Sequence, residues 1–209
     1  MKSIRRFTLI ELLAVVALIA ILSAIGFGAY SYAKGKAKES ATEALLKQIE
    51  AGLESFNTRN GYYPRSGGNF STISFTFAAD GTVSTIDFGD ANTKLSVPTG
   101  TMTKEKRMQK ESMEAFTKTV DMQILKNNLG STTSHSDGSI SSGVLVDAWG
   151  NPIYYRSPGS FKTGSFDLVS AGADGVFSSS KSTDPKGITD LGKFRETTGE
   201  HLCDDVFNF

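Results

Sequence analysis

The sequence contains few of the residues on which many catalytic and metal sites are built. It has one cysteine, Cys203, and two histidines, His135 and His201. A single thiol excludes a disulfide within the chain, and no cysteines and histidines recur at the spacing of zinc ligands. Both histidines stand in polar, turn-rich sequence, where we expect them to be solvated. Ser-His-Asp and paired-carboxylate motifs are also missing, so we predict no enzymatic activity.

An excess of charge of one sign is missing as well. The chain has 22 Lys+Arg and 22 Asp+Glu, and its formal net charge is +0. Surfaces that bind nucleic acid are strongly basic, so this balance gives no reason to expect a nucleic-acid partner. The densest basic run, residues 104–110, also contains Glu105 and is typical of a solvated helix face. The length of 209 residues fits one domain with a sizeable core.

Charge is almost absent from one segment, residues 7–33, in which Glu11 is the one charged side chain. As a helix, residues 12–33 would be about 33 Å long, enough to cross a bilayer core of about 30 Å. The preceding leader, residues 1–6, is basic. Basic residues on this side of the span predict a single-pass protein with a cytoplasmic N-terminus and a C-terminal domain that faces the periplasm or the exterior.

The helix is predicted to continue beyond the membrane. Residues 34–58 are rich in helix formers, and their apolar residues recur at three- and four-residue spacing. The members of this face are Ala41, Leu45, Ile49, Leu53 and Phe56. The combined prediction is one helix over residues 8–58, and the Asn-Gly-Tyr-Tyr-Pro string at residues 60–64 is typical of a helix end. Residues 34–64 therefore form the amphipathic half of the helix and its exit turn.

The remaining sequence predicts short strands and one further helix. Residues 73–77 and 83–88 form a predicted hairpin around an Ala-Asp-Gly turn. Residues 103–129 form a predicted helix that buries Met113, Phe116, Val120 and Ile124 and ends at Gly130. Residues 130–143 are predicted to be a flexible loop, and residues 144–159 and 166–177 have strand–turn–strand patterning. We therefore expect an α+β fold, with an insertion (hairpin plus helix) over residues 65–143 and a C-terminal sheet and loop region over 144–209.

The string at residues 7–13, Phe-Thr-Leu-Ile-Glu-Leu-Leu, closely resembles the N-terminal signature of type IV prepilins and of the pseudopilins of type II secretion. The resemblance implies that a membrane prepilin peptidase cuts before Phe7 and methylates the new amine. It also implies that Glu11 pairs with the N-terminus of a neighbouring subunit and fixes the register of a filament. The family places glycine before the cut, whereas this sequence has Arg6. If the leader is retained, Arg6 of a neighbouring subunit would serve as the partner of Glu11.

A second resemblance lies in the C-terminal half. The strings Asp-Ala-Trp-Gly-Asn-Pro at residues 147–152 and Asp-Leu-Val-Ser-Ala-Gly-Ala-Asp-Gly at residues 167–175 are similar to stretches of major pseudopilins. The resemblance covers residues 5–64 and 144–177 and leaves 66–143 without a counterpart. It implies the pilin fold, in which a long N-terminal helix packs on a small antiparallel sheet.

The same resemblance implies a calcium site in the loop after the Gly-Ala-Asp-Gly turn. Asp174 corresponds to a family ligand position, and Asp190 is the candidate for the second acid. Leu168, Ser170 and Val176 would supply further oxygens, because calcium takes six to eight of them. The alternative is that Asp174 and Gly175 form an ordinary turn held by a hydrogen bond of the aspartate side chain.

The function implied by the resemblance is structural. Subunits stored in the bacterial inner membrane would be assembled by an inner-membrane platform into a periplasmic filament that acts as a piston for type II secretion. The partners would be further copies of the chain, the prepilin peptidase and that platform.

Three alternatives stay open. The chain could be a true type IV or competence pilin, or a secretory signal cut near Ser23 could precede a soluble domain. It could also be a membrane-anchored binding module that holds a sugar or peptide and never polymerises. Trp149 and the tyrosines near it would suit a sugar platform, although such aromatic residues more often seal a sheet against a helix.

Overall fold

The computed structural model describes residues 8–90, 94–175 and 206–208. Its longest element is helix α1, Leu9–Asn60, which confirms the helix predicted over residues 8–58. The predicted exit is confirmed too, because Gly61 has a φ of 76°, a left-handed conformation that ends a helix and that glycine adopts readily. The chain divides into two compact units, Met1–Lys38 and Glu39–Phe209.

Within the second unit, one face of α1 is buried. The buried side chains of this face are Leu45, Leu46, Ile49, Leu53 and Phe56. The predicted apolar face is therefore confirmed from its second member onward. Ala41, predicted to lie on that face, is exposed, whereas the neighbouring Thr42 is buried. The Thr42 hydroxyl is satisfied in this position, because it accepts a hydrogen bond from the backbone N–H of Ala148 at 3.2 Å.

Two antiparallel sheets and two short helices make up the rest of the fold. In chain order the elements are β1 Ser71–Thr72, β2 Ser74–Phe77, β3 Val83–Asp87, β4 Leu95–Ser96, α2 Lys104–Thr119, α3 Met122–Asn127, β5 Leu129–Ser134, β6 Ile140–Leu145, β7 Ile153–Arg156, β8 Asp167–Ser170 and β9 Val206–Phe207. One sheet has the strand order β1-β7-β8-β9, and the other has the order β4-β3-β2-β6-β5. The arrangement confirms the predicted α+β class and is consistent with a pilin fold, with two sheets where one small sheet was expected.

The predicted hairpin is present as β2 and β3. The strands pair antiparallel, with Phe75 opposite Ile86, and both side chains are buried. The turn closes through a hydrogen bond from the Ala78 N–H to the Thr82 carbonyl at 2.9 Å. Asp80 rigidifies the turn, since its carboxylate accepts hydrogen bonds from the N–H and hydroxyl of Thr82. These contacts lower the pKa of Asp80 below its ordinary value.

The single helix predicted over residues 103–129 is wrong. The chain forms α2 and α3 instead, because Val120 has extended backbone angles and Asp121 caps a new helix. The Asp121 carboxylate accepts hydrogen bonds from the N–H groups of Gln123 and Ile124. The break turns Ile124 outward and places Leu125 in the core, while Met113, Phe116 and Val120 are buried as predicted.

The loop predicted over residues 130–143 is also wrong, because these residues form most of the β5–β6 hairpin. His135 and Ser139 close its turn through a backbone hydrogen bond of 2.8 Å. His135, which we expected to be solvated, is partly buried, and its Nε2 lies 3.0 Å from the carbonyl oxygen of Phe77. The other histidine, His201, lies outside the described residues, as does Cys203.

One main core holds the second unit together. The described aromatic rings that are 0% exposed are Phe75, Phe88, Phe116, Tyr155 and Phe166. Helix α2 approaches α1 closely at Gly52, where an added Cβ would lie 2.8 Å from a methyl group of Val120. Trp149 is partly buried and packs against this core, so it seals the sheet instead of presenting a free platform.

Candidate functional site

Helix α1 begins with three reciprocal hydrogen bonds between Thr8 and Glu11. The Glu11 Oε2 atom accepts hydrogen bonds from the N–H and the hydroxyl of Thr8, both at 2.9 Å. The Glu11 N–H in turn donates to the Thr8 hydroxyl at 3.3 Å. This is a capping box, which satisfies backbone donors that the first turn of a helix leaves free. Sequence reasoning treated Glu11 as an assembly residue and missed this local role, although the Thr-x-x-Glu spacing signals it.

In the most apolar part of α1, none of the described side chains is buried. An 18-residue window of α1 has a mean hydropathy of 2.7 and is 0% buried, which makes α1 a candidate membrane span by length and composition. The exposed side chains include Leu9, Leu13, Leu18 and Phe27. Two predicted processing residues, Arg6 and Phe7, lie outside the described residues.

In the C-terminal half, Asp147 organises the turn between β6 and β7. Its Oδ1 accepts hydrogen bonds from the backbone N–H groups of Trp149 and Asn151, at 2.9 and 2.8 Å. Its Oδ2 accepts a hydrogen bond of 2.6 Å from the hydroxyl of Ser170 on β8. Asp147 is buried, and these bonds compensate the loss of hydration. Through Asp147, the Asp-Ala-Trp-Gly-Asn string thus connects the β6–β7 turn to strand β8 by hydrogen bonds.

The predicted calcium ligands divide into three groups. Leu168 and Ser170 lie on β8, where the Leu168 carbonyl accepts from the Asn208 N–H and the Ser170 hydroxyl bonds Asp147 and the Gly172 N–H. Asp174 lies exposed in the turn that follows β8. Val176 and Asp190 lie outside the described residues. Within the described ranges no group of three or more His, Cys, Asp or Glu side chains could hold a metal ion.

These positions limit what the described residues can offer to calcium. The cation needs six to eight oxygens, and Leu168 and Ser170 already use theirs inside the sheet. The turn itself is held by Asn151, whose side-chain amide donates to the Gly172 carbonyl at 2.7 Å. Of the predicted ligands within the described residues, Asp174 is the one with a carboxylate.

A buried ion pair that sequence reasoning missed holds the loop between β7 and β8. Arg156 and Asp167 are directly paired across the two strands, and two guanidinium nitrogens donate to Asp167 Oδ2 at 2.7 and 3.1 Å. The same carboxylate accepts from the backbone N–H groups of Ser160, Phe161 and Lys162. A single acid thus satisfies one buried cation and three loop donors.

Near this loop the second unit has a cleft of about 720 Å³. It is lined by Asn57, Gly61, Tyr62, Tyr63, Arg65, Gly67, Gly68, Asp90, Ser157, Pro158, Gly164 and Ser165. Two hydrogen bonds fix its walls, from the Tyr155 hydroxyl to the Pro64 carbonyl and from the Ser157 N–H to the Ser66 hydroxyl. The volume lies within the range of about 300–1,000 Å³ typical of sites for small ligands.

An exposed apolar helix that begins with a capping box, followed by an α+β globular unit, is consistent with a pilin fold. Residues 106–185 match the family model described as type II secretion system (T2SS), protein G, the major pseudopilin. This match supports the identification of the chain as pseudopilin-like. Searches of the curated proteins and of the solved structures returned no significant match.

The family match adds two points to the sequence resemblance. It begins inside residues 66–143, for which the sequence reading found no counterpart, and so includes most of α2 and all of α3, β5 and β6. The family is structural and not enzymatic, which confirms the prediction that the chain is not an enzyme.

Proposed function

We propose that the chain polymerises into a periplasmic pseudopilus that drives type II secretion. The observation that carries this proposal is the exposed apolar surface of α1 in the first unit. Side chains such as Leu12, Leu18 and Leu22 are all more than half exposed. An apolar surface of this extent needs lipid or other protein chains to cover it. In a subunit that is first stored in a membrane and later packs helix against helix, lipid covers this surface before assembly and neighbouring subunits cover it afterwards.

Glu11 gives the proposed assembly its register. A carboxylate within hydrocarbon is costly unless it is paired, and an ammonium group of a neighbouring subunit would pair it. If the leader is removed before Phe7, that ammonium is the methylated N-terminus of the neighbour. During assembly Glu11 would then exchange its bonds to Thr8 for this partner. The prepilin peptidase and an inner-membrane assembly platform are the further partners of the proposal.

Mass spectrometry of the N-terminus of the membrane-extracted protein tests the maturation step. We expect a species that begins with N-methyl-Phe7. An intact N-terminus at Met1 or Lys2 would contradict processing before Phe7 and would leave Arg6 as the proposed partner of Glu11.

The assembly role of Glu11 is tested with a matched pair of variants. Glu11→Ala should remain in the membrane fraction and form no filaments by electron microscopy. Glu43→Ala removes an exposed acid of the same helix in the second unit and should assemble normally. Filaments of unchanged yield from Glu11→Ala would show that Glu11 does not set the register.

The proposed topology has the N-terminus in the cytoplasm and the second unit in the periplasm. External protease added to spheroplasts should then degrade the second unit and spare the apolar segment of α1. Protection of the second unit in intact spheroplasts, with degradation only after lysis, would reverse this topology.

We also propose calcium binding at the loop that Asp174 introduces, with Val176 and Asp190 as further ligands. Support comes from the family resemblance and from the exposure of Asp174 on a turn that Asn151 holds. Calcium should raise the melting temperature of the full chain relative to chelator, and Asp174→Ala should abolish the increase. Asp137→Ala, which changes another exposed turn aspartate, should keep it. A melting temperature that calcium does not affect would remove the site.

One observation favours a second candidate function, the membrane-anchored binding module. The cleft presents the half-exposed ring of Tyr62 beside polar groups of Asn57 and Ser157, a combination suited to sugars. Saturable binding of oligosaccharides that Tyr62→Ala abolishes, in a chain that never forms filaments, would favour this function. A true type IV or competence pilin would instead form filaments outside the cell.

A further inference from the structure

The downstream end of the apolar segment carries a regular series of aromatic and basic side chains. Tyr30 and Tyr32 are 66% and 71% exposed. Lys34, Lys36 and Lys38 follow at two-residue intervals, and all five residues belong to the part of α1 that lies in the first unit. We refer to these five residues as the girdle.

The spacing places the girdle on more than one side of the helix. Residues four apart share a helix face, and residues two apart lie on nearly opposite faces. Tyr30 is therefore in line with Lys34, and Tyr32 is in line with Lys36. The order of aromatic then basic residue repeats on two opposite sides. Aromatic and basic residues at the end of an apolar segment, on two sides of a helix, are typical of a helix that lipid surrounds.

The distance to Glu11 matches a bilayer. Along α1 the rise from Glu11 to Tyr30 is about 28 Å, and the rise to Lys34 is about 34 Å. The hydrocarbon core is about 30 Å thick, tyrosine rings favour its boundary, and lysine amines extend into the headgroup layer. With the tyrosines at one boundary, Glu11 lies at the other.

We propose that the girdle binds the phosphate groups of anionic phospholipids in the periplasmic leaflet and holds the stored subunit at a fixed depth. This inference rests on the proposed storage of the subunit in the membrane. At that depth Glu11 lies at the cytoplasmic surface, where water solvates its carboxylate together with the Thr8 cap. Extraction into a filament then requires two changes, release of the lysines from lipid phosphate and entry of Glu11 into an apolar environment. The anionic lipid content of the membrane thereby regulates how readily a subunit leaves it.

Cysteine accessibility in vesicles measures the depth. The full chain with Cys203→Ser is reconstituted in phosphatidylcholine vesicles, with or without phosphatidylglycerol, and treated with a membrane-impermeant maleimide. Labelling is normalised to that in detergent. Single cysteines are introduced at both sides of the expected boundary by Gly28→Cys, Ser31→Cys, Ala33→Cys, Gly35→Cys and Ala37→Cys. A side chain added at Gly28 or Gly35 meets nothing within 4 Å. We expect slow labelling at residue 28, fast labelling at residue 37 and a boundary near Tyr32.

Substitution of the lysines tests the lipid contact itself. In the wild-type girdle, phosphatidylglycerol should slow labelling at residues 33 and 35 several-fold. The combined variant Lys34→Gln, Lys36→Gln and Lys38→Gln should lose this difference. A control with three exposed lysines of the second unit replaced, Lys47→Gln, Lys104→Gln and Lys118→Gln, should keep it. Inorganic phosphate added to phosphatidylcholine vesicles should not reproduce the slowing.

The outcomes separate this inference from the proposed function. Equal, fast labelling at residues 28 and 37 in every vesicle means that the helix does not span, and the membrane storage itself is then wrong. A normal boundary that does not respond to phosphatidylglycerol, or a response that survives the three lysine substitutions, overturns the girdle alone. Slowing by inorganic phosphate would assign the lysines to free phosphate and would also overturn it.

Discussion

Leucine and phenylalanine side chains are exposed in the first unit of the chain and buried in the second. In the first unit Leu9 and Phe27 are 77% and 73% exposed, whereas in the second unit Leu53 and Phe116 are 0% exposed. The second unit therefore obtains its stability by burial of its own apolar side chains. None of the described side chains of the first unit is buried, so the stability of this unit depends on what surrounds it. One helix, α1, contributes to both units, and this difference is the basis of the proposed function.

The largest expected effect concerns the internal contacts of the second unit. Asp167→Ala leaves the Arg156 guanidinium buried without its carboxylate and removes the acceptor of three loop N–H groups. Loss of one partner of a buried pair costs about 3–5 kcal/mol. Urea unfolding in detergent, followed by the fluorescence of Trp149, should show this loss.

The matched control for this variant is Glu114→Ala. Glu114 pairs with Lys110 and Lys118, and all three side chains are largely exposed, so the loss should be at most about 1 kcal/mol. Membrane insertion of the first unit should be unchanged in both variants. Equal losses for Asp167→Ala and Glu114→Ala would mean that the buried pair does not stabilise the second unit.

A second prediction uses the same substitution in both units. Gly52→Ala places a methyl group 2.8 Å from Val120 and 2.9 Å from the Phe116 ring. Overpacking of this kind costs about 1–3 kcal/mol and outweighs the gain of up to about 1 kcal/mol in helix propensity. At Gly28 nothing lies within 4 Å, so Gly28→Ala keeps the gain alone.

Thermal or urea unfolding of the second unit checks the first variant, and circular dichroism in micelles checks the helicity of the second. A destabilised Gly52→Ala with an unchanged or more helical Gly28→Ala sharpens the contrast between the units. If Gly52→Ala also raised stability, as Gly28→Ala is expected to raise helicity, the close approach of α2 to α1 would not contribute to the free energy of unfolding.

The sequence predicted the elements whose signals are local. Helix α1 and the β2–β3 hairpin follow from the spacing of their own apolar residues and from the glycines at Gly61 and Gly81, both of which have positive φ. The break between α2 and α3 escaped prediction, because the apolar pattern continues through it. There Asp121 competes as an N-cap, and a side chain of this kind can end one helix by starting another.

Long-range pairing explains the other errors. Strands β5 and β6 contain mostly serine, threonine and glycine, with no clear alternation. They become strands because β6 pairs with the edge of β2 and β5 pairs with β6. The two buried polar contacts of the C-terminal half, Asp147 with Ser170 and Arg156 with Asp167, were not predicted for the same reason. Asp147 was visible as a turn residue, but its bond to Ser170 joins positions 23 apart, and Arg156 meets Asp167 through strand register.

A third prediction concerns Tyr155, whose hydroxyl donates to the Pro64 carbonyl inside the core. Burial raises the pKa of Tyr155 above its ordinary value of 10.0. Above pH 10 the unfolded chain therefore loses the phenolic proton, while the folded chain keeps it. Stability should then fall as pH rises, by about 1.4 kcal/mol per pH unit from this residue.

Urea unfolding at pH 9 and pH 11 checks the prediction on Tyr155. Tyr155→Phe should lower stability at pH 9, because the Pro64 carbonyl loses its donor, and should reduce the alkaline loss. Tyr62→Phe, which changes an exposed phenol of the same unit, should leave the alkaline loss unchanged. An alkaline loss that Tyr155→Phe does not reduce would contradict the assignment to this phenol.

The smallest expected loss of stability concerns the N-terminal cap of helix α1, in the first unit. Thr8→Ala removes the cap of α1 and both hydrogen bonds that the hydroxyl makes with Glu11. Loss of such a cap costs about 1 kcal/mol, so amides of the first turn should exchange with solvent about fivefold faster in micelles. Thr58→Ala serves as control, because the Thr58 hydroxyl bonds the Glu54 carbonyl within the helix and caps nothing. None of the described side chains of the first unit is buried, so no side-chain packing within this unit replaces the lost cap. Unchanged exchange in Thr8→Ala would mean that the surrounding micelle alone orders this turn.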